Sequence, residues 1–204
     1  MDASFSERVY EAMDEGTDIE GVYLSSDAVE DVFARKIAIN ESEFRSSAFI
    51  QCAFEGVSFH NVIFDSCDLQ NTPFRACSFR ECTFKRCRLT GVDMVENVFQ
   101  HVSFSDCVMQ YSNLSGSKLT KTKFSDTDLT NAYLNEMKLK ETAFHGCVMK
   151  NAEIAHTPLM GVNLTSNDIA SVSVTLDSLR GARVTSLQAL ALSLLLGIVI
   201  DETE

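Results

Sequence analysis

The stretch CSFRECTFKRCRL, residues 77–89, sets Cys77, Cys82 and Cys87 five residues apart, with Phe79, Phe84 and Leu89 two places after each. Cysteines this regular invite a metal or redox reading. Zinc sites, however, usually bring cysteines roughly two to four residues apart, together with a second pair or histidines. The phenylalanines keep the same interval, and the interval runs far beyond the cysteines. From Ile19 to Val184 every fifth residue is apolar, through Phe44, Phe49, Phe54, Phe59 and Phe64 to Phe104, Phe124 and Phe144, and the register never slips. Two places before these centres small or β-branched residues dominate, and all seven cysteines fall there. Seven of the nine glycines lie two places after a centre.

A period of five excludes the common elements. On an α-helix each step turns about 500°, which is about 140° after one full turn, so the centres would point in every direction. On a straight strand, two-residue alternation would send successive centres to opposite sides. What satisfies the pattern is a short extended piece whose first and third residues point inward, followed by a corner that restores the direction. Repeated, this makes a solenoid whose coils pair their backbones with those above and below. Cys77, Cys82 and Cys87 then face the interior as small hydrophobes. Cys67, Cys87 and Cys107 stack in successive coils about 4.8 Å apart, without disulfides. Phe44, Phe64, Phe84, Phe104, Phe124 and Phe144 form an interior ladder.

The repeated centre with a small residue two places before it, as in SDTDLTNAYLNEMKL (residues 125–139), resembles the pentapeptide-repeat family, strongly over residues 37–184 and weakly over 17–36. The resemblance implies an all-β solenoid, a right-handed quadrilateral β-helix with four pentapeptides per coil. The chain divides accordingly into an N-terminal capping helix (1–16), the β-helix (17–184) and a C-terminal capping and dimerisation helix with its tail (185–204). Capping-box pairs support both helices: Ser4 with Glu7 before Gly16, and Thr185 with Gln188 before Gly197. The segment LRGARVTSLQALALSLLLGIVID (residues 179–201) resembles the C-terminal helix and strand of Qnr-type quinolone-resistance proteins. That resemblance implies a homodimer through Leu187, Leu190, Leu194, Leu195, Ile198 and Ile200.

The 204 residues are 45% hydrophobic, enough for a real core, and carry a formal net charge of −12. No leader pattern opens the sequence, and the apolar run near the C-terminus is too short to span a bilayer, so a cytoplasmic protein without membrane attachment is expected. Residues 1–31 hold ten acids against Arg8, whereas residues 32–184 hold sixteen acids and sixteen bases. His60, His101, His145 and His156 fall in separate repeats with no nucleophile or acid at a recurring offset. No catalytic residue, metal ligand or cofactor site is expected, and the protein reads as a non-enzyme.

Recognition is then left to the outer surface. The coils from residue 17 to 186 make a rod about 40 Å long, and an end-to-end dimer about 80 Å, the length of about 23 base pairs. Qnr-type proteins are thought to bind type II topoisomerases, DNA gyrase and topoisomerase IV, by imitating duplex DNA; the resemblance implies the same partner here. On twenty-residue coils, two adjacent faces carry Glu55, Asp68, Asp93, Glu96, Asp128, Glu136, Glu153 and Asp168 against Arg75, Arg88 and Lys150, and this acidic side is the expected partner surface. The other two faces are net basic, through residues that include Lys118, Lys121, Lys123, Lys138 and Lys140. Overall acidity argues against direct nucleic-acid binding. The alternative function is a rigid scaffold for some other protein. The unbroken register also implies a rod without long loop insertions.

Overall fold

The computed structural model describes residues 3–199. Each coil takes twenty residues and has four faces, because every strand pairs in parallel with the segment twenty residues on. The first face is a seven-stranded sheet from Ile19–Glu20 to Lys138–Lys140, with Ile19, Ile39, Phe59, Phe79, Phe99, Leu119 and Leu139 stacked in register. The second face, also seven-stranded, runs from Tyr23–Ser25 to Ala143–His145 and carries the ladder from Leu24 through Phe44 and Phe84 to Phe144. On the third and fourth faces the early coils are strands, and the later ones are held mainly by single bridges, such as Asp68 to Arg88 and Asp93 to Asn113. There the corners close into β-turns, with Val92 N–H donating to the Leu89 carbonyl and Ser112 N–H to that of Met109.

The centres and the residues two before them form one continuous core. Stacked phenylalanines lie 4.7 to 5.1 Å apart on the second face, and Phe84 also meets Phe79 edge to face at 5.7 Å. Each buried phenylalanine contributes about 1.5–3 kcal/mol through burial, with about 0.5–1.5 kcal/mol more per aromatic pair.

The inner small residues do more than make room. All seven cysteines and some of the hydroxyls donate to the carbonyl of a centre one coil back, among them Cys67 to Phe44, Cys87 to Phe64, Ser117 to Met94 and Thr157 to Leu134. Each such carbonyl thus gains a partner for a lone pair that burial would otherwise leave empty. The bond gives the cysteines of this column a role that the valines and alanines sharing it, such as Val57 and Ala132, cannot take.

At the corners, glycine is a convenience more than a requirement. All nine glycines have positive φ, but so do twenty-four other residues, so the coil imposes the left-handed corner whatever the side chain. Gly91 and Gly146 have a second reason, since a Cβ there would push aside the end of the Asn71 or Asp126 side chain one coil away.

Both ends are covered by helices with complete capping boxes. Helix α1 (Phe5–Glu15) starts at Ser4, ends at Gly16 with φ 67°, and lays Phe5, Val9 and Ala12 over the first coil. Tyr10 and the Arg8 guanidinium secure it by donating to the Asp31 and Glu20 carbonyls. The first coil is regular from Ile19 although its sequence match is weak, because α1 supplies the packing that its smaller centres lack. Helix α2 (Ser186–Ser193) starts at Thr185 and continues as a 3-10 turn, Leu194–Leu196, to Gly197.

Two residues of the inner column, Asn97 and Ser112, bury a side-chain polar atom without a partner, and Asn97 is the larger misfit. Its Oδ1 accepts from Cys77 N–H at 2.8 Å, but its buried Nδ2 has no partner. Thr157 both accepts from Met137 N–H and donates to the Leu134 carbonyl. Asn97→Thr is therefore predicted to raise stability by about 1 kcal/mol, read from the urea midpoint, and a loss of stability would show that the amide is satisfied in another way.

Candidate functional surface

The eight acids of the third and fourth faces divide by what their side chains do. Asp68, Asp93, Asp128 and Asp168 precede their centres by one residue, and each accepts the backbone N–H two residues on: Gln70, Val95, Thr130 and Ala170 respectively. Asn113 and Asn163 do the same at equivalent places. These are Asx turns that fix the corner, so a short carboxylate or amide there serves the fold whatever it meets outside. Glu55, Glu96, Glu136 and Glu153 make no such bond, and all four are exposed.

Neutralisation sorts them again. Every base on these two faces from residue 37 on is paired to an acid of the same side: Arg75 to Asp93 at 2.7 Å, Arg88 to Asp68 at 3.2 Å, and Lys150 to Asp168 at 3.2 Å. Glu55 is bridged by Arg35 at 3.3 Å. Among the described residues, that leaves Glu96, Asp128, Glu136 and Glu153 outside any ion pair. Glu96 and Glu136 sit on the same corner two coils apart, about 10 Å along the axis. Asp128 is partly buried, which opposes ionisation, but hydrogen bonds from Thr130 and Gln110 and the nearby Lys150 outweigh burial and hold its carboxyl below the ordinary value. The sequence identified the acidic side. Which carboxylates are occupied became visible only when side-chain partners were in place.

The other candidate sites resolve differently. Among the described residues no group of three or more His, Cys, Asp or Glu side chains converges as a metal-ligand set. The seven cysteines are buried free thiols. Burial pushes Cys77 up to about 12 and Cys82 up to about 11, so neither is a thiolate at neutral pH. The histidines are dispersed, His60 lying 3.9 Å from Glu81 and His145 hydrogen-bonded to Ser166. No described helix is long and apolar enough to cross a membrane.

At the C-terminal end, Gln188 completes its capping box and also donates to the carbonyls of Leu164 and Asn167, both at 2.9 Å, which pins α2 to the last coils. The sequence showed the first of these roles and not the second. Leu192 packs partly against the core, whereas Leu187, Leu190, Leu194, Leu195 and Ile198 are between 44% and 80% exposed, an apolar surface large for a chain end. Ile200 lies outside the described residues.

This division predicts separable phenotypes. Asp128→Ala should cost about 1–2 kcal/mol in urea unfolding, whereas Glu136→Ala should change stability by less than about 0.5 kcal/mol. Because the folded pKa of Asp128 is depressed, its contribution is present above about pH 4 and is lost as pH falls through the folded value. Equal costs for the two variants at pH 7 would contradict the division.

Comparison with known proteins agrees with this architecture. A family model described as pentapeptide repeat region matches residues 57–134, and one described as pentapeptide repeats (8 copies) matches residues 127–165, together more than half the chain. No curated protein sequence matches significantly. Among solved structures, trypsin-treated QnrB1, a plasmid-mediated fluoroquinolone resistance protein, is 15% identical with a TM-score of 0.45, covering 90% of this chain and 100% of that one. A pentapeptide repeat protein from the Arabidopsis thaliana thylakoid lumen is 19% identical with a TM-score of 0.35, covering 49% and 63%. HetL, involved in heterocyst differentiation regulation in the cyanobacterium Nostoc, is 13% identical with a TM-score of 0.27, covering 89% and 94%. On its repeat, its four-faced coil and these family matches, the chain belongs to the pentapeptide-repeat family.

Proposed function

We propose that this protein is a DNA-mimicking interaction protein that binds type II topoisomerases, DNA gyrase and topoisomerase IV, and protects them from quinolone-type inhibitors. The observation that carries the reading is the set of carboxylates outside any ion pair among the described residues, Glu96, Asp128, Glu136 and Glu153, on two adjacent faces of a rod without loop insertions. A basic saddle shaped for duplex DNA meets there negative charge on a backbone already ordered, so binding has only side chains to immobilise. The resemblance of residues 179–201 to the end of Qnr-type proteins supports the same reading. So does the exposed apolar surface on and after α2, which two protomers would bury end to end through Leu187, Leu190, Leu194, Leu195 and Ile198. Function then needs neither catalysis nor a cofactor.

The test is gyrase supercoiling with and without ciprofloxacin, titrated with the wild type and with a Glu96→Lys/Glu136→Lys/Glu153→Lys variant. The wild type should change the response to the drug, and the variant should need about tenfold more protein for the same effect. Sedimentation of the wild type should give twice the chain mass of 22.6 kDa, and Leu190→Glu/Leu194→Glu should give the single chain. No effect on gyrase at any concentration would remove the topoisomerase reading and leave a rigid scaffold for another protein partner.

A further inference from the structure

On the opposite side of the rod, where Arg45 and Arg86 are paired to Glu43 and Asp65, one cluster of lysines breaks the neutralisation rule of the acidic side. Lys118, Lys121, Lys123, Lys138 and Lys140 are all exposed and none forms an ion pair among the described residues, although Glu136 and Glu141 are near them in the chain. Lys118 lies directly over Lys138 in the first-face sheet, one coil apart. Like charges placed opposite one another in a sheet are destabilising, so the fold gains nothing from this arrangement. Lys121 carries the ridge round the corner in a left-handed conformation, φ 51°, and Lys123 continues it on the second face. Lys121 and Lys123 also line a shallow hollow together with His101, Ser103 and Glu141.

We propose that this lysine ridge is a second interaction surface, which receives a short run of carboxylates from an acidic segment of a partner protein. The shape of the ridge selects this occupant. The coil before it presents Val98, Gln100 and Ser103 at the equivalent outward positions, and the coil after it presents Pro158, Met160 and Asn163, so the positive charge stops after two coils, about 10 Å of rod. A duplex laid along the rod would run its phosphates onto neutral surface at either side, and the chain's net charge of −12 would repel a long polyanion before contact. An extended peptide crossing the rod along the strand direction instead meets Lys118, Lys121 and Lys123 in turn, with Lys138 and Lys140 one coil below. Its alternate residues, about 7 Å apart, present carboxylates to one side. The surface is independent of the topoisomerase reading, since it uses the opposite faces.

The test is fluorescence anisotropy of a labelled hexaglutamate peptide titrated with the full-length protein at low and at physiological salt. Two variants are compared: Lys118→Glu/Lys121→Glu/Lys138→Glu on the ridge, and Lys36→Glu/Arg80→Glu/Lys85→Glu, which changes the net charge equally elsewhere. The wild type should bind the peptide with a salt-weakened affinity, the ridge variant should lose about tenfold or more, and the control should stay within about threefold of the wild type. Should the ridge variant fold poorly, Lys118→Gln/Lys138→Gln, which removes a repulsion without adding charge, should lower the affinity while keeping or raising the thermal midpoint. Absence of peptide binding, an equal loss in both charge-reversed variants, or tighter binding of a 20-base-pair duplex than of the peptide would each overturn the proposal.

Discussion

The structure depends on one constraint: each inward-pointing side chain must stack on its counterpart twenty residues away. Parallel in-register pairing places Phe64 over Phe84 and Phe84 over Phe104 at about the strand spacing, which suits aromatic rings lying nearly parallel. The repetition explains why the corners tolerate so many residues in a left-handed conformation. Such a residue costs on the order of 1 kcal/mol, and the coil meets that cost some two dozen times because each corner returns the next centre to the core. Glycine placement therefore does not decide the fold. The apolar centres do.

The same constraint dictates what the exterior can do. With two of every five residues committed to the core, recognition is confined to three outward positions per repeat, and on the third and fourth faces one of these is often an Asp or Asn that ties its own corner. A charge map drawn from sequence alone counts these aspartates as available surface. Pairing of Arg75, Arg88 and Lys150 with three of them, and of Arg35 with Glu55, narrows the acids outside ion pairs to Glu96, Asp128, Glu136 and Glu153, and leaves the lysines on the far side with no such neutralisation.

Much of this fold was legible in the residues because the five-residue period has few physical solutions. The inward direction of the cysteines, the phenylalanine ladder and both capping boxes could be read before any coordinates. The four-sided coil came from family resemblance, not from the period, and the twenty-residue pairing bears it out. What stayed hidden were contacts between residues about twenty apart in sequence: the hydrogen bonds from the inner column to carbonyls one coil back, the amide of Gln188 reaching Leu164 and Asn167, and the unsatisfied Nδ2 of Asn97. Periodicity states which side a residue faces. It carries no information about the lone pair or proton that waits there.

The central claim, that all the small inner residues converge on one dry axis, is tested most directly by thiol accessibility. At pH 8, titration with a water-soluble aromatic disulfide reagent should modify none of the seven cysteines while the protein is folded, and all seven at once in denaturant. Rapid modification of Cys67, Cys77, Cys82 or Cys87 in the folded protein, at rates near those of the unfolded chain, would place these side chains outside the core and contradict the account.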